Sequence, residues 1–343
     1  MKFKQFILSP KFLNAVYKYL SGVFVYGVVL LFYIYFPYNH GYLRAESVSI
    51  LKYLYLSYLI IGPLVNYFSK EKTNKPLTIV LILNRAPDLI RDFSYGFIKK
   101  EKGVEHLTEN EKIVLRFALV KIFYVSLMIN FTVNNFDIFN TAFKNLNFND
   151  LVINFRVNYR SIINLIFFID TLIFCFGYLF EAKFLKNTIR SVEPTVLGWV
   201  VALAAYPPFS NSTSQLLGWY SSDNFSLSNP LLDIVAKLLI VILLGIYLWA
   251  SISLGSKASN LTNRGIVTKG AYKYVRHPAY AGKVLSWWIM TIPVMSLAAF
   301  VSMIAWTAIY YLRAVTEERH LIADPDYQNY VKITKYRFFP GII

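Results

Sequence analysis

Apolar runs of about 20 residues recur along this chain near 15–36, 48–68, 113–132, 161–181 and 231–254. Each is long enough to cross a hydrocarbon core of roughly 30 Å as a helix. In lipid every backbone N–H and C=O must be bonded inside the protein, which leaves helices and closed barrels. Runs of this length are twice what a barrel strand needs. Charged residues make up 16% of the chain and the mean hydropathy is +0.44, against about 25% charged in soluble chains. The expected fold class is therefore all-α: a polytopic transmembrane helical bundle, with the chain as an integral, multi-pass membrane protein.

Two further runs complete the count. The run at 195–209 is short and ends in Pro207-Pro208. The run from Val284 to Leu312 has 29 residues, about 44 Å of helix, too long for one upright span. Pro293 near its middle favours a tight helical hairpin, with one long, kinked, tilted helix as the alternative. Lysine and arginine then set the direction. The N-terminus, the 69–112 and 182–194 loops, the 256–283 loop and the C-terminal tail hold 27 of the 35, whereas residues 209–230 hold none. The positive-inside rule then predicts about eight spans, with both termini and the 256–283 loop in the cytoplasm. Residues 69–112 read as a cytoplasmic loop with short surface helices, and 133–160, which alternate Asn with aromatics, as an outer interfacial segment.

The net charge of +16 would suggest nucleic acid in a soluble protein. Here the loop asymmetry accounts for it, and no nucleic-acid partner is expected. Cys175, the single cysteine, excludes an intrachain disulfide framework and a CxxC metal site. No cleavable signal peptide is expected, because the first run is too long for an h-region and lacks a small-residue cleavage site. Asn211 and Asn224 head glycosylation sequons, a pattern that arises often by chance. The four histidines are scattered and no HExxH occurs, so no metal is expected. GxSxG, Walker A and GxGxxG are likewise missing, which removes serine hydrolase, P-loop and Rossmann readings.

Chemistry concentrates in two clusters. Arg264 to Gly282, RGIVTKGAYKYVRHPAYAG, holds Arg264, Lys269, Lys273, Arg276 and His277 with three tyrosines. Pro278 suits the first turn of a helix, whose free N–H groups and dipole offer an anion site. Alone, this segment could equally be a basic loop with an aromatic belt. After the next apolar run come Arg313, Glu317, Glu318, Arg319 and His320. Arg313, Glu317 and His320 recur at i, i+4, i+7 and share one helical face. Glu317 and Glu318, adjacent in sequence, cannot both do so. An aromatic tail follows, with Tyr327 and Tyr330, which could fold back as a lid.

These residues carry a resemblance. Gly270, Tyr272, Val275, Arg276, His277, Pro278, Tyr280 and Gly282, then Glu317, Glu318 and Leu321, then Tyr327, Tyr330, Arg337 and Pro340 form an ordered set. Over about residues 245–343 this order resembles the isoprenylcysteine carboxyl methyltransferase and phospholipid methyltransferase superfamily. The resemblance implies a methyltransferase core at 241–343 with a cytosolic C-terminal cofactor pocket, behind an N-terminal transmembrane region, 1–240, of unassigned role. It implies S-adenosylmethionine as cofactor, held by Arg264, Gly265, Ile266, Val267, Tyr272, His277, Pro278, Ala279, Tyr280 and Glu317. It also implies substrate contact at Arg313, with Arg313, Glu317 and Glu318 as the catalytic candidates. Arg264 stands where the carboxyl methyltransferases carry histidine, and Ser256-Lys257-Ala258 occupies the place of their upstream glutamine.

The expected substrate is a lipid-like or prenylated amphiphile entering from the bilayer. Carboxylate O-methylation is the first expectation, because a carboxylate is already ionised and Arg313 would orient it. A lipid amine would instead have to lose a proton, to Glu317, Glu318 or His320. Two other classes stand beside these. A sterol-reductase-like enzyme using NADPH shares the basic, proline-containing tail, but the Glu317-Glu318-x-x-Leu321 element argues against it. A transporter would need paired charges within its spans.

Overall fold

The computed structural model describes residues 9–99, 107–144 and 151–342. The chain divides into two compact units, Met1–Asn130 and Phe131–Ile343. Among the described residues six helices are long and apolar enough to cross a membrane, as an all-α polytopic bundle requires.

In the first unit α1 (Pro10–Tyr35) is followed by the short α2 (Pro37–Tyr42), α3 (Ala45–Phe68), α4 (Lys75–Lys99) and the start of α5 (Glu109–Lys144). Pro10 sits in the first turn of α1, and the Ser9 hydroxyl accepts from the Phe12 N–H. α1 packs on α3 and α4. Polar side chains tie them at one end, where the Lys18 ammonium donates to the Glu71 carbonyl at 2.9 Å and Asn74 donates to Asn66 at 2.9 Å. Where short surface helices were expected in 69–112, α4 is one amphipathic helix of 25 residues. The expected interfacial segment at 133–160 is also different: α5 continues to Lys144 and α6 begins at Leu151. Residues 145–150 lie outside the described residues.

The second unit is built on α6 (Leu151–Leu179), α7 (Val196–Leu203), α8 (Phe209–Leu217), α9 (Pro230–Leu254), α10 (Pro278–Thr291), α11 (Leu297–Leu321) and α12 (Pro325–Ile333). Asn229 caps α9 by accepting from the Leu231 and Leu232 N–H groups, with Pro230 in the first turn. α6 and α9 share a buried core that includes Tyr159, Ile163, Ile166, Ile240, Leu244 and Tyr247, closed by Met290 of α10. α10 lies so close to α9 that a Cβ on Gly282 would stand 2.5 Å from the Leu243 carbonyl oxygen; only glycine fits that crossing.

The predicted hairpin is present. α10 ends at Thr291, a single 3₁₀ turn covers Ile292–Val294, and α11 starts at Leu297 behind the Ser296 cap. The expected span at 195–209 takes another form. α7 has eight residues, about 12 Å of helix, too short to cross alone. Tyr159 meets Lys237 near the starts of α6 and α9, while Asp170 meets Tyr247 and Ser251 further along both. These helices therefore run parallel, and the chain between them must return. It does so as α7, α8 and an extended stretch, whose Gly218 carbonyl accepts from Ser302 and Trp306 of α11. The eight expected spans thus become six long helices, the short α10 and this broken return path.

One small ladder frames the site. β1 (Ser191–Val192) pairs antiparallel with β2 (Thr262–Asn263), fastening the 182–194 segment onto the loop that follows α9.

Candidate functional site

The C-terminal ends of α6, α9 and α11 and the start of α10 come together around two adjoining cavities. The larger, about 630 Å³ of open space, is lined by residues that include Tyr206, Tyr247, Tyr272, His277, Tyr280 and Lys283. The smaller, about 450 Å³, is lined by Glu193, Leu261, Thr262, Thr316 and His320 among others. Ser259, Asn260, Tyr280, Arg313 and Glu317 line both.

The basic segment after α9 divides into wall and lining. Arg264 is buried, and its guanidinium donates to the Gly177 carbonyl in the last turn of α6, where a cation is favoured by the helix dipole. Burial holds its guanidinium below the ordinary arginine range. Gly265, with φ +90°, turns the chain, and its N–H donates to the Asn263 side chain at 2.8 Å. Arg264, Gly265, Ile266 and Val267 line neither cavity; the preceding Ser259 and Asn260 line both. Tyr272 lines the larger cavity and its phenol is pushed well above its ordinary range by burial.

Pro278 occupies the first turn of α10, so His277, Ala279 and Tyr280 face the larger cavity from the helix start. The imidazole of His277 stacks on the Tyr280 ring, with centroids 5.3 Å apart and planes 9° from parallel. Tyr280 donates its hydroxyl to Glu317 at 2.9 Å. The C-terminal tail holds this turn in place. Backbone N–H groups of Arg276 and His277 donate to the Tyr336 and Arg337 carbonyls, both at 2.9 Å. Tyr330 of α12 donates to the Tyr272 carbonyl at 2.7 Å, which is the fold-back expected of the tail.

The two adjacent glutamates part company. Glu317 faces the cavities; Glu318 lines neither. The Glu318 carboxylate instead accepts from Arg276 at 2.9 Å and from Arg337 at 2.8 Å and 3.1 Å, and bonds His277 at 3.0 Å. It is the pin that joins loop, α11 and tail. Arg313, Glu317 and His320 do share one face, and all three line the smaller cavity. The Arg313 guanidinium sits 4.9 Å from the Tyr310 ring, 5.1 Å from Tyr280 and 5.7 Å from Tyr206. It donates to Asn260 at 3.3 Å, and Asn260 in turn donates to Tyr178. This aromatic enclosure fixes a cation that is only 5% exposed.

Several contributors lie outside the expected set. Glu193 enters the smaller cavity from the β1 segment. Its carboxylate is held by the Thr195 N–H at 3.0 Å and the Thr195 hydroxyl, and by Arg319 at 3.4 Å. His320 bridges Ser191, 2.8 Å away, and Glu193, 3.8 Å away. Gly198 leaves room for this carboxylate, since a Cβ there would stand 2.4 Å from it. Asp170 accepts from Tyr247 and Ser251 beneath the larger cavity, and Lys283 lines that cavity. Lys283 was legible, since it lies one turn after Tyr280 on the same face of a helix that Pro278 starts. Glu193 has no local signal: 129 positions or so separate Ser191 from His320, and only the β1–β2 pairing brings them together.

The donor set fits a sulfonium nucleoside cofactor. Tyr272 and Tyr280 offer aromatic faces, and Glu317 an acceptor for an ammonium. Residues 231–324 match the family model described as phospholipid methyltransferase. No curated protein matches the chain. The matched segment begins with α9 and ends just before α12, so it contains Arg313, Glu317 and the whole turn from Arg264 to Gly282.

Proposed function

From a chain whose residues 231–324 form a phospholipid methyltransferase domain, within the integral-membrane superfamily that includes the isoprenylcysteine carboxyl methyltransferases, we propose an S-adenosylmethionine-dependent enzyme. In this reading it methylates the carboxylate of a lipid-like or prenylated amphiphile that enters from the bilayer. The observation that carries it is Arg313, a caged cation on the border of two cavities, beside the Tyr280–Glu317 pair.

Tyr272, His277, Ala279, Tyr280 and Glu317 would hold the cofactor in the larger cavity, and the bound group would supply an electrophilic methyl on a sulfonium. Arg264, Gly265, Ile266, Val267 and Pro278 act from behind the wall by setting the path of the backbone. Arg313 orients the acceptor carboxylate; its enclosure by three tyrosines and Asn260 restricts how tightly it can pair, which preserves the nucleophile. A carboxylate needs no base, so the task of the site is alignment and exclusion of water. Glu318 is a positioning residue, because its oxygens are committed to Arg276, His277 and Arg337. The catalytic core of 241–343 is completed by the β1 segment, which brings Glu193. The distribution of Lys and Arg supports a cytosolic site with both termini on that side.

A second reading has its own observation. Glu193, Glu317 and His320 together line the smaller cavity, and such groups would accept the proton of a lipid amine. Radiolabelled methyl transfer into a membrane lipid extract tests both. Arg313→Ala should abolish base-labile methyl ester formation and leave any base-stable N-methyl product within a few-fold. Equal loss of both products would contradict the carboxylate anchor.

A further inference from the structure

We infer that Lys283 forms, in the larger cavity, a binding site for an anionic group on the non-reacting part of the acceptor lipid, a phosphate or a second carboxylate. This rests on the methyltransferase reading above for its biological setting, though the site itself is a matter of charge and space.

Lys283 sits five residues past Pro278, about 7 Å into α10. It lines the larger cavity only, away from the border where Arg313, Tyr280 and Glu317 meet. A lysine inside a membrane-embedded bundle is costly and calls for a partner. Among the described residues its ammonium makes no hydrogen bond or ion pair. Its neighbours are the faces of Tyr247, 5.3 Å from the ring centre, and Trp287, 5.5 Å away. The carboxylate that acts on it from below, Asp170, has each of its oxygens engaged, one by Tyr247 and the other by Ser251. The three donor positions of the ammonium face a cavity that is also lined by the cations Arg276 and Arg313 and by the carboxylate Glu317.

Lys283, Arg276 and Arg313 against the single carboxylate Glu317 leave the lining of this cavity net cationic, which favours an anionic guest. The separation of roles between Arg313 and Lys283 follows from position. Arg313 lies on the border with the smaller cavity, where the reacting group must be, and Lys283 lines only the larger cavity, which the acceptor's second anionic group would share with the cofactor. An acceptor held at both points would be fixed in orientation as well as place, which is what an in-line transfer needs.

The test uses the full-length protein in detergent and reads Trp287 fluorescence, with dodecyl phosphate, dodecanoate, dodecanol and inorganic phosphate as probes. A charge-assisted hydrogen bond of about 1.5–3 kcal/mol should make the two anionic amphiphiles bind at least about tenfold more tightly than dodecanol. Lys283→Met should remove that margin, Lys283→Arg should keep most of it, and S-adenosylmethionine affinity should stay within about twofold in both. Should Lys283→Met fail to fold, Lys283→Met combined with Asp170→Asn removes both charges together and should give the same loss. The proposal is overturned by an anionic preference that survives Lys283→Met. It is equally overturned by a parallel loss of S-adenosylmethionine binding, which would put the lysine in the donor's site. Displacement of dodecyl phosphate by inorganic phosphate at similar concentration would assign the site to a free anion instead of a lipid. Absence of S-adenosylmethionine binding with the anionic preference intact would remove the methyltransferase reading and leave this site standing.

Discussion

Tyr280 in the first turn of α10 donates its hydroxyl to Glu317 near the end of α11, at 2.9 Å, across the border of two cavities. The bond fixes the carboxylate that both cavities share and sets the Tyr280 ring beneath the Arg313 guanidinium. It therefore couples the larger cavity to the smaller one. Tyr280→Phe should keep the stack on His277 but release Glu317, lowering turnover about tenfold through a single lost charge-assisted bond. Glu317→Gln should weaken S-adenosylmethionine binding by a comparable or larger factor. Isothermal titration of both variants checks this, and unchanged affinity in Glu317→Gln would remove Glu317 from the cofactor's contacts.

Glu318 should matter for assembly more than for chemistry. Its carboxylate pairs with Arg276, which is nearly as buried as the core. Glu318→Gln would leave that guanidinium and Arg337 without their anion, at a cost of about 3 kcal/mol. The expected result is a clear fall in the thermal unfolding midpoint and a loosened tail that a protease cleaves near Arg337. Unaltered stability with abolished turnover would instead make Glu318 part of the reacting group.

Gly282 is predicted to be irreplaceable for a packing reason. The Cβ of Gly282→Ala would press on the Leu243 carbonyl at 2.5 Å, and backbone cannot move aside as a side chain does. Overpacking of this kind costs about 1–3 kcal/mol. Displacing α10 would also shift Tyr280 and Lys283, so activity should fall with stability. A variant as stable and active as the parent would mean that α9 and α10 pack more loosely than described.

A pH effect follows from Asp324, the cap of α12. Burial on its own would raise its carboxyl. Hydrogen bonds from Asn263 at 2.7 Å and Arg190 at 2.8 Å outweigh that and hold it below its ordinary range. A depressed carboxyl contributes stability in full above its unfolded value of about 3.9 and loses it as pH falls through the folded value. Proteolysis between β2 and α12 should therefore be flat from pH 7 to about pH 5 and rise below about pH 4. Asp324→Asn should show the low-pH susceptibility already at neutral pH. An Asp324→Asn profile identical to the parent's would contradict this clamp.

How much was legible in the sequence depended on distance along the chain. The hairpin was, because Pro293 interrupts a 29-residue run that no single span could use. So was the shared face of Arg313, Glu317 and His320, since helical periodicity alone sets it. That Glu317 and Glu318 must diverge was legible too, with Glu317 on the face of Arg313; what holds Glu318 was not, because Arg276 and Arg337 lie 42 and 19 residues away. The return path was misjudged as a single span. Its hydropathy is high enough, but Tyr206-Pro207-Pro208 ends the helix after two turns, and packing of Gly218 on α11 completes the crossing. Glu193 was missed altogether, because only the two-residue ladder of β1 with β2 carries it to the site. Arg264, expected among the cofactor contacts, lines neither cavity and donates to the Gly177 carbonyl at the end of α6, a helix far from it in sequence.

The central claim is that this membrane site holds a methyl donor. Calorimetric titration of the detergent-solubilised full-length protein with S-adenosylmethionine and, separately, with NADPH tests it most directly. The account predicts saturable binding of S-adenosylmethionine, weakened by Glu317→Gln, and no binding of NADPH. Saturable binding of NADPH without S-adenosylmethionine, or of neither, would contradict it.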